Sequence, residues 1–92
     1  MEKLSAKQLR ERYSQGVRDF SNKNFSGENL SKLSLTNASF IGCDFTSCCI
    51  RETDFSNSNF HGAKLDQVLA GLSWLKRFQS ALMVYFFIFF IG

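Results

Sequence analysis

Proline is missing from the 92-residue chain altogether, so no proline-rich linker divides it, and the length allows one small domain. Histidine occurs once, as His61. Chemistry that needs paired catalytic groups, or several imidazoles on one metal, has no second histidine to use. Cysteine occurs three times, at Cys43, Cys48 and Cys49. An odd number at spacings of five and one is no disulfide framework. From Met1 to Val17 the chain is charged and polar, without a secretory signal. The soluble part is therefore expected in a reducing, cytosolic setting. Gly-rich phosphate loops, HExxH and CxxC are also absent.

Charge of one sign is scarce as well. The net charge of +3 divides into +2 over residues 1–16, −1 over residues 17–68, and +2 from Lys76 and Arg77. The middle is neither a strong phosphate-binding surface nor a strongly acidic one. No nucleic-acid partner is expected.

What is there instead is a beat. Phe20, Phe25, Leu30, Leu35, Phe40, Phe45, Ile50, Phe55, Phe60 and Leu65 place a large apolar residue at every fifth position. The residue before each centre is mostly polar, often Asp or Asn, and the residue after is Ser or Thr in six cases. Two before each centre, from Leu33 onward, stand Leu33, Ala38, Cys43, Cys48, Thr53, Ser58 and Ala63, mostly small. Two after it, Gly or Asn occurs six times, at Asn22, Gly27, Asn37, Gly42, Asn57 and Gly62. Those residues tolerate positive φ and favour tight turns. A period of five fits neither a helix nor a strand. It fits a solenoid of short extended pieces joined by corners, each unit burying its apolar centre against the next coil.

The units ASFIG, CDFTS, TDFSN, SNFHG and AKLDQ resemble pentapeptide repeats, and the resemblance covers about residues 18–68. It implies a mainly β fold, a short right-handed quadrilateral β-helix with about four units per coil. Four units per coil predicts stacks twenty residues apart, with Phe20, Phe40 and Phe60 in one and Phe25, Phe45 and Leu65 in another. Leu30 then lies under Ile50, and Leu35 under Phe55. All ten centres are core. Arg18, Lys23 and Glu28 occupy positions where the pattern has small residues. Buried charge is costly, so the first coil is expected to be irregular, with these side chains bent out to water.

Both ends of so short a stack need covers. Residues 1–17 form the first. Ser5 and Gln8 make a capping box, Leu4 and Leu9 take the staple positions, and Gly16 follows the helix end. A helix over residues 5–15 then lays Leu9, Tyr13 and Val17 on the first coil, with Arg10 and Arg12 in solvent.

Residues 69–92 form the second. Val68, Leu72, Leu75 and Phe78 recur at helical spacing, so residues 67–79 read as an amphipathic helix. ALMVYFFIFFI, residues 81–91, follows. Eleven helical residues span about 16 Å against a hydrocarbon core of ~30 Å, short of a full crossing. Trp74 is an interfacial residue type, and Lys76 and Arg77 place the preceding chain on the cytoplasmic side. AGLSWLKRF resembles the junction after the repeats in membrane-associated bacterial, including cyanobacterial, pentapeptide-repeat proteins. The tail is read as a hydrophobic helix anchoring the protein to a membrane. A buried capping helix and a self-association surface are the alternatives.

No catalytic, cofactor or metal site emerges. Cys43 and Cys48 take the small inward position and read as core. Cys49, in the polar position before Ile50, is the candidate redox thiol. The reading is a non-catalytic interaction or scaffold module tethered to a membrane, meeting an unidentified protein partner through Lys32, Arg51, Glu52, Asn57, His61 and Asp66. The alternatives are a soluble regulatory protein that inhibits a signalling partner and, for a long acidic rod, a DNA mimic acting on a topoisomerase.

Overall fold

The computed structural model describes residues 1–70. Its regular unit follows from the order of residue types. The apolar centre turns inward, and the next two residues make a corner. At Phe25, Phe40, Phe45, Ile50, Phe55 and Phe60 the centre's carbonyl accepts from the N–H three residues on, as Phe40 does from Cys43 (3.2 Å) and Phe45 from Cys48 (3.0 Å). At all ten corners the residue two after the centre has positive φ, between 56° and 74°. This is the second central position of a type II turn, where Gly and Asn are favoured.

The residue before each centre pairs in parallel with the residue twenty further on. Side 1 runs Asp19, Ser39, Asn59; side 2 runs Asn24, Asp44, Lys64; side 3 runs Asn29, Cys49, Leu69; side 4 runs Ser34, Asp54. A coil therefore takes twenty residues as four five-residue sides, and the fold is β-helix-like.

All ten centres are buried. Phe20 stacks on Phe40 with ring centroids 5.6 Å apart, Phe40 on Phe60 at 5.1 Å, and Phe25 on Phe45 at 5.2 Å. Between sides the rings meet edge to face, as Phe40 meets Phe55 at 5.7 Å and Phe55 meets Phe60 at 4.8 Å. Both arrangements suit the ring quadrupole.

The N-terminal cover has two parts. Strand β1 (Glu2–Lys3) pairs in parallel with β2 (Lys23–Asn24), and the Leu4 N–H donates to the Asn24 carbonyl at 3.0 Å. Leu4 is thus the lowest buried residue beneath Phe25, Phe45 and Leu65, as well as a staple residue. Strand β1 was not foreseen. Helix α1 (Ala6–Ser14) starts at the N-cap Ser5 with both bonds of the capping box present. It ends in a Schellman arrangement: the Gly16 N–H donates to the Tyr13 carbonyl and the Val17 N–H to the Arg12 carbonyl, each at 3.0 Å, with Gly16 at φ 99°.

Several expectations need correction. The first coil is in register with the second, not irregular. Its three charged residues hold the cover in place. Glu28 accepts from the Ala6 N–H at 2.9 Å, at the positive end of α1. Lys23 pairs with Glu2 at 3.3 Å. The Arg18 guanidinium lies 3.6 Å above the Tyr13 ring and donates to the Tyr13 carbonyl at 2.8 Å. Arg12 is not free in solvent but pairs with Glu2 at 3.0 Å. Val17 is 38% exposed and lies outside the core cluster. The expected C-terminal hydrophobic helix lies outside the described residues. Among the described residues no helix is long and apolar enough to cross a membrane.

Candidate interaction surface

The outer wall is built from the residue before each centre. At Asp19, Asn24, Asn29, Asp44, Asp54 and Asn59, the side-chain Oδ1 accepts from the N–H two residues on at 2.8–3.0 Å. This Asx turn satisfies a backbone donor that the corner leaves unpaired. Where that second residue is Ser or Thr, its hydroxyl can add a second bond to the same oxygen. Ser31, Thr46 and Ser56 do so at 2.6 Å. Asp19 and Asp44 are held below the ordinary carboxylate range, chiefly by their bonds to Ser21 and Thr46. Glu2 is lowered in the same direction, chiefly by Arg12. These carboxylates stay ionised at neutral pH and are unsuited to act as general acids there.

The inward small position has its own pattern. Each Ser, Thr or Cys there donates to the carbonyl of the centre 23 residues earlier, one coil below. Cys43 Sγ reaches the Phe20 carbonyl at 2.8 Å, Cys48 Sγ that of Phe25 at 2.6 Å, Thr53 Oγ1 that of Leu30 at 2.7 Å and Ser58 Oγ that of Leu35 at 2.7 Å. The position needs a small side chain that carries one donor, so a thiol and a hydroxyl serve alike. The small size of these residues was legible in the sequence; their shared donor role was not drawn from it.

That placement defines the thiols. Cys43 and Cys48 are buried, and loss of solvent pushes both up to about 11. A thiol at that value is a poor nucleophile and a poor metal ligand. Cys49 is half-buried on side 3, with its backbone in the parallel pairing between Asn29 and Leu69. His61 is exposed, and its N–H donates to Asn59 Oδ1 at 2.9 Å. Among the described residues no group of three His, Cys, Asp or Glu is placed to hold a metal ion.

The side chains left free of these duties lie at the corners. Lys32, Arg51, Glu52, Asn57, His61 and Asp66 are all exposed. Lys32 sits one coil below Glu52, and the Lys32 N–H donates to the Arg51 carbonyl at 2.9 Å. The structure gathers no catalytic constellation from them. What it offers is a set of projecting side chains on rigid walls. Trp74, Lys76 and Arg77, the expected membrane-interface residues, lie outside the described residues.

Comparison with protein families finds a match to pentapeptide repeats, in 8 copies, over residues 19–51 and 50–69. Together these cover residues 19–69, more than half of the 92-residue chain. No curated protein matches the sequence.

Proposed function

Because this chain belongs to the pentapeptide-repeat family, we propose that it is a non-catalytic interaction module, its β-helix tethered to a membrane by residues 69–92. One observation carries the first half. The side chains that look like chemistry serve the walls: Asp and Asn brace corners, and Cys43 and Cys48 bond carbonyls of the coil below. Among the described residues, Lys32, Arg51, Glu52, Asn57 and His61 at the corners project into solvent, and Asp66 does so beside Lys64, its ion-pair partner at 3.8 Å. Such residues can change without disturbing the core, which suits a surface that specifies a partner. The right-handed sense of the coil belongs to the same proposal.

The second half draws on sequence. An apolar run from Ala81 to Ile91, preceded by Trp74, Lys76 and Arg77, has the composition of a membrane entry from the cytoplasmic side. Fusing residues 67–92 to a soluble reporter tests it. The reporter should move to the membrane fraction and resist extraction with high salt. A reporter that stays in the supernatant removes the tether.

A further inference from the structure

At the positions before the centres the outer wall is polar on three of its sides, and the exposed apolar side chain at a side 1 corner, Ile41 at 37%, is less open than Leu69 at 52%. The residues before the centres are Asp19, Ser39 and Asn59 on side 1, Asn24, Asp44 and Lys64 on side 2, and Ser34 and Asp54 on side 4. Side 3 alone turns apolar along the stack, from Asn29 through Cys49 to Leu69. Leu69 is 52% exposed, and its parallel pairing with Cys49 makes the two neighbours on one face. Arg51 is exposed at the corner of the Cys49 coil. An apolar side chain beside an arginine suits the headgroup boundary, where the first enters the acyl region and the second meets lipid phosphate.

Distance limits what else this face can meet. Leu69 and Lys76 are seven residues apart in sequence, a reach of about 25 Å even if fully extended. If Trp74, Lys76 and Arg77 lie at the membrane interface, the Leu69 rim is held close to the headgroups. We infer that side 3 lies against the lipid surface at its Leu69 rim, with Leu69 and Arg51 as lipid contacts. Side 1, across the coil, then faces away from the membrane and presents His61 to a partner. This inference rests on the tether proposed above.

Cys49 supplies the probe, since Cys43 and Cys48 are buried and protonated at neutral pH. The full chain is labelled at Cys49 with an environment-sensitive fluorophore and reconstituted into phosphatidylcholine–phosphatidylglycerol vesicles. A second sample carries the label at side 1, through Ser39→Cys in a Cys49→Ser background. The expected result is a blue shift at position 49, quenching by lipid-attached quenchers and loss of iodide quenching, with position 39 still open to iodide. Leu69→Ser should restore iodide access at position 49 without changing the melting curve. Equal responses at 49 and 39 would overturn the orientation, as would protection of position 49 that depends on protein concentration without vesicles. A chain that does not float with the vesicles removes the tether and the orientation together, and flotation tells that case from the others.

Discussion

At the scale of the residue, the corner carries the most readable physics. Ten corner positions take left-handed φ, and the sequence puts Gly or Asn at six of them. Lys32, Ser47, Glu52 and Gln67 adopt the same conformation at 56–61°. An L-residue there costs about 1–2 kcal/mol, of which glycine's extra unfolded-state entropy returns part. Glu52→Gly should therefore raise stability by up to about 1 kcal/mol in urea unfolding, and Gly27→Ala should lower it by about 1 kcal/mol. A loss of stability in Glu52→Gly would contradict the strain. The inward donors make a second case. Thr53→Val keeps the volume but leaves the Leu30 carbonyl without its 2.7 Å bond, a loss of about 1–2 kcal/mol. Thr53→Cys should be better tolerated, since Cys43 and Cys48 make the same bond.

The thiols also give a pH dependence with a definite sign. Folding raises Cys43 and Cys48 from 9.0 to about 11, so above pH 9 the unfolded chain gives up protons that the folded chain keeps. Their stabilising contribution is complete below pH 9 and falls as pH rises toward 11, by about 1.4 kcal/mol per unit for each thiol. Denaturant midpoints across that range should drop more steeply in the natural chain than in Cys43→Ser/Cys48→Thr. At pH 8 a thiol reagent should modify Cys49 alone until the protein unfolds.

At the scale of the element, helix α1 shows where sequence reading succeeds and where it stops. Ser5, Gln8, Leu9 and Gly16 are local signals, each acting within one or two turns, and the structure has the capping box and the left-handed glycine they imply. The charges at Arg18, Lys23 and Glu28 were legible only as misfits in a repeat. Their partners, Tyr13, Glu2 and the Ala6 N–H, lie 5 to 22 residues away and belong to the cover. No local rule supplies those pairings. Strand β1 was missed because a single unit, Glu2 to Ser5, shows no period. Lys3-Leu4-Ser5 nevertheless has the polar, apolar, hydroxyl order of the repeat. Tyr13 adds a further link, its hydroxyl lying 2.9 Å from the Thr36 carbonyl, which accepts its proton. Glu28→Ala removes an acceptor from the positive end of α1 and should destabilise by about 1 kcal/mol. Hydrogen exchange should then rise in residues 6–14 before it rises in the coils. Uniform acceleration instead would mean that the cover and the stack open as one unit.

At the scale of the whole molecule, the five-residue beat decided nearly everything that the sequence made legible. It located all ten core centres and the stacks of rings twenty residues apart. It also explains why Cys43, Cys48 and the single histidine fall inside the repeats: the two thiols fill the small inward place, and His61 occupies a tolerant corner. The same regularity hides function, because a wall that accepts many polar side chains marks none of them by pattern. Phe40 stands at the centre of the stack, within 6.0 Å centroid distance of Phe20, Phe25, Phe45, Phe55 and Phe60. Phe40→Ala should cost about 3–5 kcal/mol, most of the net stability of so small a domain, and circular dichroism should find it largely unfolded at 37 °C.

The claim that binding information resides in the corners is tested most directly by clearing them. Lys32, Glu52, His61 and Asp66 are replaced by serine and Asn57 by glycine in the full chain, with Arg51 kept for its lipid contact. The variant and the natural protein are then compared by melting curve and by crosslinked capture in native membranes. An unchanged melting curve with loss of the captured partner is the predicted result. The same partner captured by both proteins would contradict it.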